Sequence, residues 1–149
     1  MDHDVENLGP NAMDAVYPHV DYLIPSIDEA RYITGTEHEK DAAEALLEKG
    51  AGTVVIKLGG RGCYVRSRKD ALYVDPFKVD ARDTTGCGDN FTAGFIHSVL
   101  GGKPLYESAR FACAAGAVNA LETGAHMAVR SERQIEDFMK RFPQKTIER

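Results

Sequence analysis

The thirteen residues from Asp83 to Phe95 read Asp-Thr-Thr-Gly-Cys-Gly-Asp-Asn-Phe-Thr-Ala-Gly-Phe, joining a glycine-rich turn, an acid and a helix start. Gly86 and Gly88 carry no Cβ, so the backbone there can take left-handed angles and approach a ligand closely. Phe91, Phe95 and Val99, with Ile96 and Leu100, recur at helical spacing. A tight turn entering a helix leaves N–H groups without intrahelical partners, and the helix dipole adds positive potential at that end. Such a terminus receives anions, phosphate most naturally. Asp89 stands at its mouth, where a carboxylate could take a proton from an incoming hydroxyl. The combination suits phosphoryl transfer. Gly-x-Gly before a helix also occurs where nothing binds, and an Asp in a first helical turn can be a favourable cap and no more.

Two better-known phosphate loops do not fit. The dinucleotide fingerprint requires a third glycine where Phe91 stands, and the Walker A loop requires Ser or Thr after Gly-Lys, whereas Gly102-Lys103 is followed by Pro104.

The bulk of the chain sets limits on its partners. At 149 residues it is about one domain in size, with 43% apolar and 28% charged residues, as in ordinary globular proteins. A net charge of −5 and the lack of a Lys/Arg cluster offer no footprint for nucleic acid or an anionic membrane surface. Phosphate binding must therefore be local. No apolar stretch approaches a membrane span, the N-terminus Met-Asp-His-Asp is acidic, and a cytoplasmic location is expected. Cys63, Cys87 and Cys113 have no metal spacing and are odd in number, as expected of reduced thiols, buried or incidental, in a reducing cytosol. Cys87 lies beside a helix start, where a thiol can be activated, yet it occupies a small-residue position. The five histidines (3, 19, 38, 97 and 126) are scattered and form no ligand pair.

The elements that must position the loop are legible in outline. Val20–Ile24 reads as a strand stopped by Pro25, and Ser26 as the cap of a helix through Ile33 that Gly35 closes. A second helix is predicted over 40–49, and the β-branched run Thr53–Leu58 as a buried parallel strand. Short hairpin-like strands follow at 62–66 and 71–74. Beyond the loop and its helix, 104–121 forms a long helix whose small-residue centre, 112–117, invites a neighbouring backbone. A last amphipathic helix covers 132–141, with Ile135, Phe138, Met139 and Phe142 on its apolar side. Strand–helix–helix–strand with further helices implies α/β layering. Only one or two central strands are evident, fewer than a self-contained parallel sheet usually has.

Asp83-Thr84-Thr85-Gly86-Cys87-Gly88-Asp89, followed by Asn90-Phe91 and Ala93-Gly94-Phe95, closely resembles the second signature of the ribokinase-like (PfkB) carbohydrate kinases, with Cys87 in the place of the usual Ala. The resemblance implies Asp89 as catalytic base and the amides of Gly86, Cys87 and Gly88, on to Asp89, as the anion hole. It implies ATP and Mg2+ as cofactors. Asp83 and Thr85, with the carbonyls near Ala120–Gly124, lie where family members can hold a monovalent cation such as K+. Lys57-Leu58-Gly59-Gly60-Arg61-Gly62 resembles the strand-end loop bordering the nucleotide, with Lys57, Gly59 and Gly62 as binding residues; Lys57 is well placed because ligands gather at strand C-termini in open α/β sheets. A tight turn with a solvated Arg61 is the alternative. Asn119 is matched to an adenine contact, with a helix-surface Asn as the alternative. Glu29 resembles the Glu of the family's magnesium-orienting element, although Ser26 replaces its Asn; Ser26-x-x-Glu29 equally reads as a capping box.

The expected fold is therefore α/β and ribokinase-like in part, residues 1–149 forming one domain that resembles the C-terminal nucleotide-binding portion of a mostly parallel sheet with flanking helices. Nothing in the chain matches the family's N-terminal sugar-binding half and lid. The expected activity is ATP-dependent phosphorylation of an alcohol group on a sugar or related small molecule. The rival readings are a non-catalytic nucleotide- or partner-binding fragment of a truncated or split kinase, and a vitamin-precursor kinase, which Asp83 disfavours. A homodimer or a complementing N-terminal half is the expected partner, since a missing half would leave an apolar sheet edge exposed.

Overall fold

A computed structural model describes residues 9–125 and 128–144; His3, His126 and the acidic N-terminus lie outside the described residues. The chain forms two compact units, one built from residues up to Ile56 with Tyr64–Ala71, the other from Lys57–Cys63 with Leu72 onward. Strand β1 (Tyr22–Leu23) is followed by helices α1 (Ile27–Thr34) and α2 (Glu39–Glu48), then by β2 (Thr53–Lys57), β3 (Cys63–Ser67) and β4 (Ala71–Val74). The sheet order is β1-β2-β3-β4. Helices α3 (Cys87–Leu100), α4 (Leu105–Ala120) and α5 (Glu132–Arg141) complete the described chain.

In the first unit, β1 pairs parallel with β2, Tyr22 opposite Thr53 and Leu23 opposite Val54, and α1 and α2 form the crossover between them. Val54, Val55 and Ile56 are fully sealed from solvent, as befits a strand covered on both faces, and Ala30, Ala42, Ala43 and Leu46 bring the helices against this core. The predicted strand at 20–24 shortens to two residues. The carbonyls of Val20 and Asp21 still accept the N–H groups of Gly52 and Thr53, at 2.9 Å each, but Pro25 ends the run. Ser26 and Glu29 close a capping box: the Glu29 N–H donates to Ser26 Oγ at 3.2 Å and the Ser26 N–H to Glu29 Oε2 at 2.6 Å. At the other end, Gly35 takes φ +69° and donates to the Arg31 carbonyl.

The second unit is held chiefly by the α3–α4 pair. A Cβ on Gly94 would come within 2.9 Å of the Ala115 Cβ, so the small-residue centre of α4 does admit a neighbouring helix closely. Phe95, Ala112 and Ala114 in these helices are fully buried. Helix α5 buries Ile135 and Phe138, the latter ring 5.4 Å from Phe77 and 4.6 Å from Phe142 between centroids. Ser131 caps α5 by accepting the Gln134 N–H.

Candidate active site

The loop before α3 is held from three directions. Gly86 is the N-cap residue of α3 with φ +74°, and a Cβ there would run into the Ala125 carbonyl oxygen. Only glycine meets both demands, since other residues resist the left-handed angle and all carry the Cβ. Asn90, one turn further on, donates its side-chain amide to the carbonyls of Gly86 and Ala125, at 2.9 Å each. From α4, the Asn119 amide donates to the Thr85 carbonyl at 2.8 Å and lies 3.6 Å from Cys87 Sγ. The Asp83 carboxylate accepts the Thr85 N–H at 2.9 Å and the Gly124 N–H at 3.0 Å. Hydrogen bonds from the Thr85 backbone first and the Gly124 backbone second hold the Asp83 carboxyl below its ordinary range, because they favour the charged form.

This scaffold leaves the helix start open. No side chain caps α3. The Cys87 N–H donates to the Thr84 carbonyl at 3.2 Å, while those of Gly88 and Asp89 have no acceptor among the described residues. Asp89 lies in the first turn and its side chain is exposed. Beside the loop, in the same unit, runs a cleft of about 620 Å³. That is within the roughly 300–1,000 Å³ usual for small-molecule sites. Lys57, Gly59 and Gly62 line it, facing Thr84, Cys87 and Gly88. The Lys57 ammonium comes within 3.5 Å of where a Cβ on Gly88 would be, which sets a positive charge against the open helix start.

Residues 5–131 match the sequence family described as pfkB family carbohydrate kinase. The chain belongs to this family. Among its relatives, the ribokinase of Haemophilus influenzae is 31% identical over 132 residues, covering 85% of this chain and 43% of the relative. The solved ribokinase structure from Thermotoga maritima superposes with a TM-score of 0.79 at 30% identity, covering 85% of this chain and 44% of that one. A protein provisionally assigned as ribokinase II from E. coli, solved in complex with ATP and Mg2+, gives a TM-score of 0.81 at 26% identity over 88% of this chain and 42% of that one. The fold is α/β and ribokinase-like, and this chain spans less than half the length of these relatives.

Set against the pfkB reading of the sequence, Gly86, Cys87, Gly88, Asp89, Lys57, Gly59 and Gly62 gather around one loop and cleft. Two residues depart from expectation. Cys87 has its N–H engaged by Thr84, so of the expected anion-hole amides those of Gly86, Gly88 and Asp89 have no acceptor among the described residues. Asn119 is neither on the helix surface nor on the cleft wall. It is fully buried, and its amide supports the Thr85 carbonyl from beneath the loop. Glu29 belongs to the first unit, where its carboxylate completes the capping box of α1. Asp83 meets the end of α4 and the chain beyond it, its N–H reaching the Ala120 carbonyl at 3.4 Å and its carboxylate accepting the Gly124 N–H, whereas Thr85 meets α4 itself through Asn119.

Sequence reasoning missed two contributions. Asn90 falls inside the recognised run but received no role, since its bond to Ala125 spans 35 positions. The segment Pro76–Ala81 forms a wall of the cleft, and only Pro76 marked it, as a break after β4.

Proposed function

We propose that this chain is the C-terminal, nucleotide-binding portion of an ATP-dependent carbohydrate kinase that phosphorylates an alcohol group of a sugar or related small molecule. One observation carries the reading: an uncapped helix start, with open amides and an exposed carboxylate, clamped by Asn90, Asn119 and Asp83 beside a Lys57-lined cleft. The open amides of Gly88 and Asp89, with Lys57, receive the negative charge that spreads over the transferred phosphoryl. Asp89 accepts the proton of the substrate hydroxyl as its oxygen attacks in line. Positioning by the rigid loop supplies much of the rate, because phosphoryl transfer needs little covalent help from the protein.

Magnesium, when bound, supplies charge neutralisation between phosphate oxygens. No cluster of three or more His, Cys, Asp or Glu side chains able to hold a metal occurs among the described residues. Magnesium is commonly held by phosphates and waters with one or two protein carboxylates, for which Glu29 is the candidate. Asp83, kept ionised by its two N–H donors, fits a monovalent cation together with the Ala120–Gly124 backbone. Residues that choose the sugar are expected in the portion of such kinases that this chain does not match.

Calorimetric titration with ATP·Mg, paired with a turnover assay over a sugar panel, tests the reading on the chain and on Asp89→Asn. Nucleotide binding is expected in both, with turnover lowered about 10²- to 10⁴-fold by the substitution. Equal turnover in the two proteins removes Asp89 as the base. Binding by the unsubstituted chain without turnover on any sugar turns the assignment to a nucleotide-binding module.

A further inference from the structure

Cys63 at the start of β3 and Cys113 in the middle of α4 are fifty positions apart in sequence, yet their sulfurs lie 3.9 Å from each other. Both belong to the second unit, and neither is in a disulfide. Cys63 is completely buried, whereas Cys113 retains 8% exposure and lines the same cleft as Lys57 and Gly88. The third thiol, on Cys87, is set apart by its own contacts with the Asn119 amide and the Asp83 carbonyl.

We infer that Cys63 and Cys113 are a dithiol modification site that closes to a disulfide on reaction with a hydroperoxide entering through the cleft. Cys113, the less buried member, reacts first as thiolate: its sulfur bonds to one peroxide oxygen, the O–O bond breaks, and the other oxygen leaves as water or an alcohol. Cys63, after losing its proton, attacks the Cys113 sulfur; the S–S bond forms, the S–O bond breaks, and the departing hydroxide takes up a proton to leave as water. With hydrogen peroxide the sum is two thiols and one peroxide giving one disulfide and two waters. Two electrons pass from the sulfurs to the peroxide oxygens. The sulfurs must close from 3.9 Å to the bonded distance of about 2.05 Å.

The bond ties the Gly59–Gly62 turn to α4, and Gly62 and Cys113 both line the cleft. Closure therefore alters the cleft's shape and weakens nucleotide binding, a consequence that rests on the kinase reading. The disulfide chemistry does not.

The full chain is treated with hydrogen peroxide, denatured under alkylating conditions and mapped by mass spectrometry. The thiol titre is expected to fall from three to one, with a Cys63–Cys113 linked peptide that dithiothreitol releases. Cys63→Ser and Cys113→Ser each abolish that link, and Cys87→Ser retains it. An unchanged titre, or a link made only through Cys87, overturns the proposal, and the unsubstituted chain alone is enough to read either outcome. Calorimetry with ATP·Mg on the reduced and oxidised chains then tests the consequence. Weaker binding after oxidation supports it, equal binding removes it, and no binding by the reduced chain overturns the kinase reading while leaving the disulfide result intact.

Discussion

Every described α-helix begins with an acid in its first turn, and α1 and α3 put that acid to opposite uses. At α1, Ser26 and Glu29 exchange hydrogen bonds with each other's backbone, so the terminus is finished by its own side chains. At α3, the cap residue is Gly86, no side chain caps the helix, and Asp89 stays exposed. Lack of a cap is not the distinguishing fact, because α2 and α4 also lack side-chain caps. The difference is that the α3 start is clamped by the side chains of Asn90, Asn119 and Asp83 while its amides remain available. A terminus that satisfies itself contributes stability; one held rigid from behind and left open in front can receive a ligand.

The severest way to break the comparison is at Gly86. Gly86→Ala places a Cβ against the Ala125 carbonyl at a left-handed angle. A loss above about 2 kcal/mol and a melting temperature lower by more than about 5 °C are expected. Circular dichroism reads it, and an unchanged melting curve would show the loop to be pliable. Asn119→Leu follows, leaving the Thr85 carbonyl without its donor. The expected cost is about 1–3 kcal/mol of stability. Weaker ATP binding with unchanged stability would instead return Asn119 to the base-contact role.

At the self-satisfied terminus, Ser26→Ala is expected to cost about 1 kcal/mol without altering ATP affinity. Glu29→Gln sharpens the contrast, since Gln can complete a capping box but offers no carboxylate to a metal. Melting should hold steady; any change in the magnesium dependence of ATP binding would assign Glu29 a second task. The smallest effect is acid sensitivity at Asp83. Its folded carboxyl titrates below the ordinary value, so its contribution is present above the unfolded value and is lost as pH falls through the folded one. Asp83→Asn should therefore flatten the acid limb of a stability–pH curve below about pH 4, with little change in its slope at neutral pH.

Legibility followed the range of the interactions involved. Helix α5, the Ser26–Glu29 box and the buried run at β2 depend on neighbours a few positions apart, and residue order displays them directly. The Thr85–Asn119 bond spans 34 positions and the Asp83–Gly124 bond 41, so local pattern held no sign of either. Asn119 shows the consequence. Near a helix end it reads as a solvent-facing or ligand-facing amide, and only the packing of α3 on α4 reveals that it is buried beneath the loop.

Sequence by itself determined the family, the left-handed glycine, the position of the acid and the α/β order of elements, because each depends on residue type and short spacing. Tertiary structure decided which amides remain open, what holds the loop still, and that two distant cysteines lie side by side. Those facts depend on which carbonyls and side chains the fold brings within hydrogen-bonding distance, a quantity that no local run of residues contains.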